Sequence, residues 1–160
     1  MASKNILTDG KNLGIPGGIL AMISVFLPWY SASASAGMLG LSSSFSVNGL
    51  GWKNGEGLLM GLVSGTANWE FQGIGVLGLG ITSIIVAVIL KDKLQSLALL
   101  ACGLLIIGGG VVNFKSIGSF SGEFMGATMQ SGAGYGLFAV VLAGAVVAAG
   151  GLLSWRDINH

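Results

Sequence analysis

The chain has 160 residues, 52% of them hydrophobic and only 8% charged, with a formal net charge of +1. Soluble domains carry about 25% charged residues, so seven basic and six acidic side chains cannot clothe a water-facing surface of this size. The near-neutral balance leaves no basic footprint for nucleic acid, and a single cysteine, Cys102, excludes a disulfide scaffold.

The charges cluster and leave uncharged runs at residues 12–52, 71–90, 94–114 and 124–155. Apolar runs of about 18 residues or more read as membrane-crossing helices. The expected fold is therefore an all-α membrane protein in one domain. It is a four-helix transmembrane bundle with a small extracellular β-hairpin or sheet in the first loop.

The first span is expected at residues 13–30. Lys4 and Lys11 before it, and Ser31-Ala32-Ser33-Ala34 after it, have the outline of a secretory signal and its cleavage site. Pro28-Trp29-Tyr30 also suits a span that reaches the interface, where Trp and Tyr gather. The segment is read as an uncleaved first helix.

The first outer loop, about residues 31–70, carries a strand signature. Ser31 to Ala36 alternates Ser and Ala strictly, and Leu41, Phe45 and Val47 interleave with serines. Alternation at period two marks strands, and Gly37-Met38-Leu39-Gly40 supplies the turn. Bare strand edges are not tolerated in lipid, so the hairpin is placed outside the membrane, resting on the bundle. Leu58 to Val63 is too short to span and reads as an interfacial helix or a third strand.

Spans two and three, at about 71–90 and 94–114, are joined only by Lys91-Asp92-Lys93 and must form a tight antiparallel hairpin. A second outer loop covers about 115–133, and span four covers about 134–155. Lys4, Lys11, Lys91, Lys93 and Arg156 fall on one side, against Lys53 and Lys115 on the other. The positive-inside rule then puts both termini in the cytoplasm of a multi-pass cell-membrane protein. Gly73-Ile74-Gly75 and Gly134-Tyr135-Gly136 open spans two and four alike. Two helix–loop–helix halves would produce that echo, and glycine-rich apolar sequence produces it by chance.

Twenty-nine glycines are a heavy load. Helix association in lipid depends on close packing of small residues. Gly14 with Gly18, Gly78 with Thr82, Ser83 with Ala87 and Gly144 with Ala148 have the spacing for it. They are expected to pack the bundle internally and, in span four especially, to join other copies or partners.

Chemistry is sparse. His160 is the only histidine and the last residue, so no zinc set and no Ser–His pair can be assembled. A Ser–Lys pairing with Lys53 or Lys115 is the remaining nucleophile option. Gly108-Gly109-Gly110 lacks the Lys-Ser/Thr of a phosphate loop. The spans hold no ionisable residues, which argues against an ion-coupled transporter but not against a passive pore. Outside them, Trp29, Trp52, Glu56, Trp69, Glu70, Phe120 and Phe124 are the candidate contact residues. Aromatics with few charges suit either interfacial anchoring or protein contact.

Trp29 followed by Gly49-Leu50-Gly51-Trp52 resembles the W…G-L-W motif of the claudin-like tetraspan proteins. That resemblance implies four spans, cytoplasmic termini and a long first outer loop forming strands against the bundle. The family's pair of loop cysteines is absent, and Gly51 interrupts the G-L-W. Leu27-Pro28-Trp29 with a Ser/Gly-rich loop after it is also similar to small, uncharacterised prokaryotic four-span proteins.

The expected function is a non-catalytic membrane protein that assembles laterally with itself or serves as an accessory subunit, its outer loops acting as contact surface. No cofactor or metal is expected, and the expected partners are the lipid bilayer and other membrane chains. The alternative is a passive pore or holin-like channel with Ser24, Thr82, Ser83, Ser96 and Ser154 as its polar lining. A membrane enzyme using Lys53, Glu56, Glu70, Lys115 and Glu123 ranks last.

Overall fold

Proline lacks the N–H that a helix needs, and it pushes the residue before it out of the α region. In a computed structural model of the chain, the first helix, α1 (Gly10–Phe26), accommodates Pro16 within it and stops just before Leu27-Pro28. The chain continues at once as strand β1 (Pro28–Ala36). The structure describes residues 10–36, 41–56, 69–124 and 127–158. The expected first span is thus divided. Its helix has 17 residues, about 25 Å at 1.5 Å per residue, and Trp29 and Tyr30 lie in a strand.

Strands β2 (Leu41–Asn48) and β3 (Lys53–Glu56) follow. Helices α2 (Trp69–Ile89) and α3 (Asp92–Ser116) come next, then strands β4 (Phe120–Phe124) and β5 (Ala127–Ala133) and helix α4 (Tyr135–Ile158). Helices α2, α3 and α4 are each long and apolar enough to cross a bilayer. The apolar piece at 58–63 lies outside the described residues.

The strands form one antiparallel sheet in the order β3-β2-β1-β5-β4. This corrects the expected all-α class with a small hairpin in the first loop. Among the described residues the fold is four helices plus a five-stranded sheet, and the segment expected as the second loop supplies two of its strands. The β1–β2 hairpin is present, with Ala32 opposite Phe45 and Ser33 opposite Ser44. Strand β1 also pairs along its other edge with β5, Tyr30 opposite Ala133 and Ala36 opposite Ala127. Each half of the chain therefore reads helix, strands, helix, and the halves are sewn together at β1–β5.

The helices run antiparallel in sequence order. Helix α1 lies between α2 and α4, and α4 packs broadly on α3. Glycines set the closest approaches. A Cβ built on Gly18 would meet Gly80 O at 2.7 Å, and one on Gly144 would meet Gly103 O at 2.9 Å. Any side chain there would push the helices apart. Leu99, Ile106, Leu137, Val140 and Val147 fill the interior. Most buried side-chain polar groups bond to backbone, which offsets the cost of burying them, whereas Asn113 bonds Gly109 O through Nδ2 and leaves its Oδ1 without a partner among the described residues. Ser83 Oγ donates to Leu79 O at 2.7 Å within its own helix. Ser96 Oγ ties α3 to α4 by donating to Gly151 O at 2.7 Å, and Gln95 Nε2 ties α3 to α2 by donating to Ala87 O at 3.1 Å.

Candidate functional site

The sheet stands on the end of the bundle where α1 and α3 finish and α2 and α4 begin, and Trp29 is the joint. An irregularity in the β1–β2 register between Pro28 and Tyr30 turns Trp29 inward, where it has no exposed surface. Its Nε1 donates to Ser24 O at 2.9 Å, a carbonyl at the end of α1 that Leu27 N also reaches at 3.3 Å. Three backbone contacts complete the joint. Gly49 N donates to Val25 O at 2.8 Å, Gly134 N donates to Trp29 O at 2.8 Å, and Gly136 sits against Pro28 O and Leu27 O. Gly49 is glycine for a visible reason, because a Cβ there would lie 2.6 Å from the indole ring.

The β2–β3 turn is built by Asn48, whose Oδ1 accepts from Leu50 N at 3.0 Å and from Trp52 N at 2.9 Å. Gly51 supplies the left-handed position, φ 78°. The turn delivers Trp52 to the outside, 65% exposed, with its ring 6.2 Å from Phe26. The tryptophans of the W…G-L-G-W pattern therefore lie at one junction, one wedged inside and one displayed.

Cross-strand partners share a face of the sheet, and the register separates two faces. Tyr30, Ala32 and Ala34 share one with Phe45, Val47 and Met129, and Phe45 and Val47 continue into the core. The opposite face carries Ser31, Ser33 and Ser35, flanked by Ser42, Ser44 and Ser46 on one side and by Thr128 and Gln130 on the other. Nearly all of these are exposed. Ser35 Oγ and Thr128 Oγ1 share a hydrogen bond of 3.1 Å. At the foot of this hydroxyl face lie two adjoining hollows of about 310 and 390 Å³, both lined by Pro28, Ser46, Asn54 and Tyr135.

The other candidate contact residues take three positions. Trp69 and Glu70 open α2 at the sheet end of the bundle. Glu56 ends β3 opposite Ser44. Phe120 and Phe124 bound β4, opposite Ser131 and Ala127. Two of the titratable groups weighed for catalysis lie far apart. Lys53 is on edge strand β3 and Glu123 on the opposite edge strand β4, four strand spacings or roughly 19 Å apart. Among the described residues, no group of three or more His, Cys, Asp or Glu side chains is placed to hold a metal ion.

The small residues singled out for helix packing divide into two sets. Gly14, Gly18, Gly144 and Ala148 are used inside the bundle, Gly14 against Leu99 and Ala87 and Ala148 against Gly103. Gly78 and Thr82 face outward. A Cβ on Gly75, Gly78 or Gly108 would meet nothing within 4 Å. Thr82 Oγ1 returns its hydrogen bond to Gly78 O at 2.8 Å. Between α3 and α4, Val111, Phe114, Phe138 and Leu142 line an apolar hollow of about 510 Å³ with Lys115 at its end.

Sequence reasoning missed β4 and β5, although both carry a signal. Ala127-Thr128-Met129-Gln130 alternates apolar with polar, and Phe120-Ser121-Gly122-Glu123 does so once. It also missed Tyr135, whose exposed ring begins α4 beside the sheet. No protein-family model and no curated protein matches the sequence.

Proposed function

We propose that this chain is a non-catalytic, multi-pass membrane protein that assembles laterally, with further copies of itself or as an accessory subunit of a larger membrane complex. The membrane part of the reading is supported by α2, α3 and α4, which have the length and hydropathy to cross a bilayer. The outer surface of the helices is paved with Ile, Leu, Val and Phe, which suits lipid and not water. In this reading α1 is the fourth, shorter crossing, both termini lie on the cytoplasmic side with Lys91 and Lys93, and the sheet stands outside.

One observation carries the assembly part. The bundle's own helix approaches already use Gly14, Gly18, Gly103, Gly110 and Gly144, while Gly75, Gly78 and Gly108 face outward with open space beside them. Glycine in a helix costs up to about 1 kcal/mol relative to alanine. In lipid that cost is offset when a second helix approaches closely. The claudin-like likeness is supported by the placement of a strand-forming first loop on a helical bundle and by the meeting of Trp29 with Gly49.

The test is the state of the purified chain in mild detergent and in nanodiscs, read by native mass spectrometry and cross-linking. A defined oligomer or stoichiometric complex is expected, and Gly78→Leu together with Gly75→Leu dissociates it. A strict monomer with no co-purifying partner overturns the proposal.

A further inference from the structure

The paired hollows at the foot of the sheet are used neither by the helix surfaces proposed for assembly nor by the core. We propose that they form a binding site for a neutral hexosyl ring, presented as the headgroup of a glycolipid in the outer leaflet. The inference rests on the reading that α2, α3 and α4 cross the bilayer, and it does not depend on the oligomeric state.

The lining fixes the ligand class. Ser31, Ser33, Ser44, Ser46 and Asn54 present hydroxyls and an amide from three adjacent strands, set among apolar surface from Pro28, Ala32 and Phe45. Neighbouring strands are about 4.8 Å apart, and alternate residues along a strand about 6.8 Å apart. This is a grid on the scale of a sugar ring and its substituents. Hydroxyl and amide groups both donate and accept, as sugar hydroxyls do. Among the described lining residues Lys53 is the one cation. A phosphate or carboxylate site would instead be built from paired or bidentate cations.

Aromatic rings flank this polar patch. Tyr135, 63% exposed, lines both hollows, and Trp52 lines the lower one. An exposed ring beside hydrogen-bonding groups offers an apolar platform for the C–H face of a pyranose. Interfacial anchoring alone would explain two aromatic residues at this level, but not the ordered hydroxyls and amide facing them.

Position in the fold supplies the source. Phe26, the last residue of α1, and Tyr135, the first of α4, both line the lower hollow. The site therefore lies where the helices emerge, at headgroup level. Below it, Ile19, Ile23 and Phe26 recur at i, i+4 and i+7 and are all exposed, forming an apolar stripe along which the acyl chains of the same lipid would lie.

The full chain is placed in phosphatidylcholine nanodiscs with and without monoglucosyl diacylglycerol, and the lipid retained after transfer to detergent is counted by native mass spectrometry. The wild-type chain is expected to retain the glucosyl lipid over phosphatidylcholine. Tyr135→Ala and Asn54→Ala, both at exposed positions, are expected to retain it about fivefold to tenfold less, while Tyr135→Phe keeps the ring and most of the retention. Maltotriose titrated onto sugar-free nanodiscs, followed by tryptophan fluorescence, separates the two sources of the sugar. A response to maltotriose that is lost in the same variants, without glycolipid retention, keeps the hexosyl site but overturns the lipid headgroup as its occupant. Equal retention of both lipids with no maltotriose response overturns the site, as does retention unchanged in Tyr135→Ala and Asn54→Ala. A chain that fails to enter nanodiscs overturns the membrane reading underneath, whereas a monomer in nanodiscs bears only on assembly.

Discussion

Trp29 shows how one side chain can couple two kinds of structure. Its indole fills the space between bundle and sheet, and its N–H donates to Ser24 O at the end of α1. The two contributions can be separated. Trp29→Phe keeps most of the ring and loses the hydrogen bond, so a loss of about 1 kcal/mol is expected. Trp29→Ala leaves a cavity as well, and about 3 to 5 kcal/mol is expected. Thermal unfolding in detergent checks the order, and equal losses in the two variants would show that the ring's burial contributes nothing. Part of this joint was legible in the sequence, because Trp29 and the Gly49–Trp52 stretch stood out together. Which of the two tryptophans turns inward was not legible. That choice follows from a shift in strand register, which only the paired strands define.

At the scale of elements, the helices and the sheet suit different solvents. Helices α2, α3 and α4 close their backbone hydrogen bonds internally and can therefore sit in hydrocarbon. Among the described residues β3 and β4 are the edge strands of the sheet, and its hydroxyl face favours water. Its central strand, β1, is bonded on both sides by partners from different halves of the chain. Glycine is equally divided in role. Gly144→Leu would drive a side chain into Ile107 and Gly103 O, so a loss of at least about 1 to 3 kcal/mol of bundle stability is expected. Gly78→Leu points into open space and, by replacing a helix glycine, should leave the unfolding midpoint of the isolated chain unchanged or raised. A midpoint lowered equally by both would mean that the outward face of α2 is already packed within one copy. The strand alternation in 31–47 was readable because local side-chain period reports it. The partnership of β1 with β5 was not, since it joins residues about a hundred positions apart and depends on where the helices bring the loops.

At the scale of the molecule, the end of the bundle that carries the sheet and the end that carries Lys91 and Lys93 should lie on opposite sides of a membrane. On a Cys102→Ser background, Ser35→Cys on the exposed hydroxyl face should react with an impermeant maleimide from outside the cell. Cysteine at Lys91 should react only after permeabilisation. Reaction of both from the same side would reverse or abolish the proposed orientation. The chain should also remain with membranes through alkaline extraction, and release into the soluble fraction would contradict burial of α2, α3 and α4 in lipid.

The sequence alone determined the three helices long and apolar enough to cross a membrane, the close succession of the first two of these, whose turn falls at Leu90-Lys91, and the presence of strands after the first helix. Each is a local matter of charge, hydropathy or side-chain period. Pro28 is a local cue to the end of α1, but Pro16 inside the same helix shows that the cue alone does not decide, and hydropathy carried the expected span on through Trp29 and Tyr30. Only the tertiary structure decided that two separate loops share one sheet, that Trp29 is core and Trp52 surface, and which glycines are spent inside. Those outcomes depend on which distant segments meet, and side chains compete for the same space only once they do.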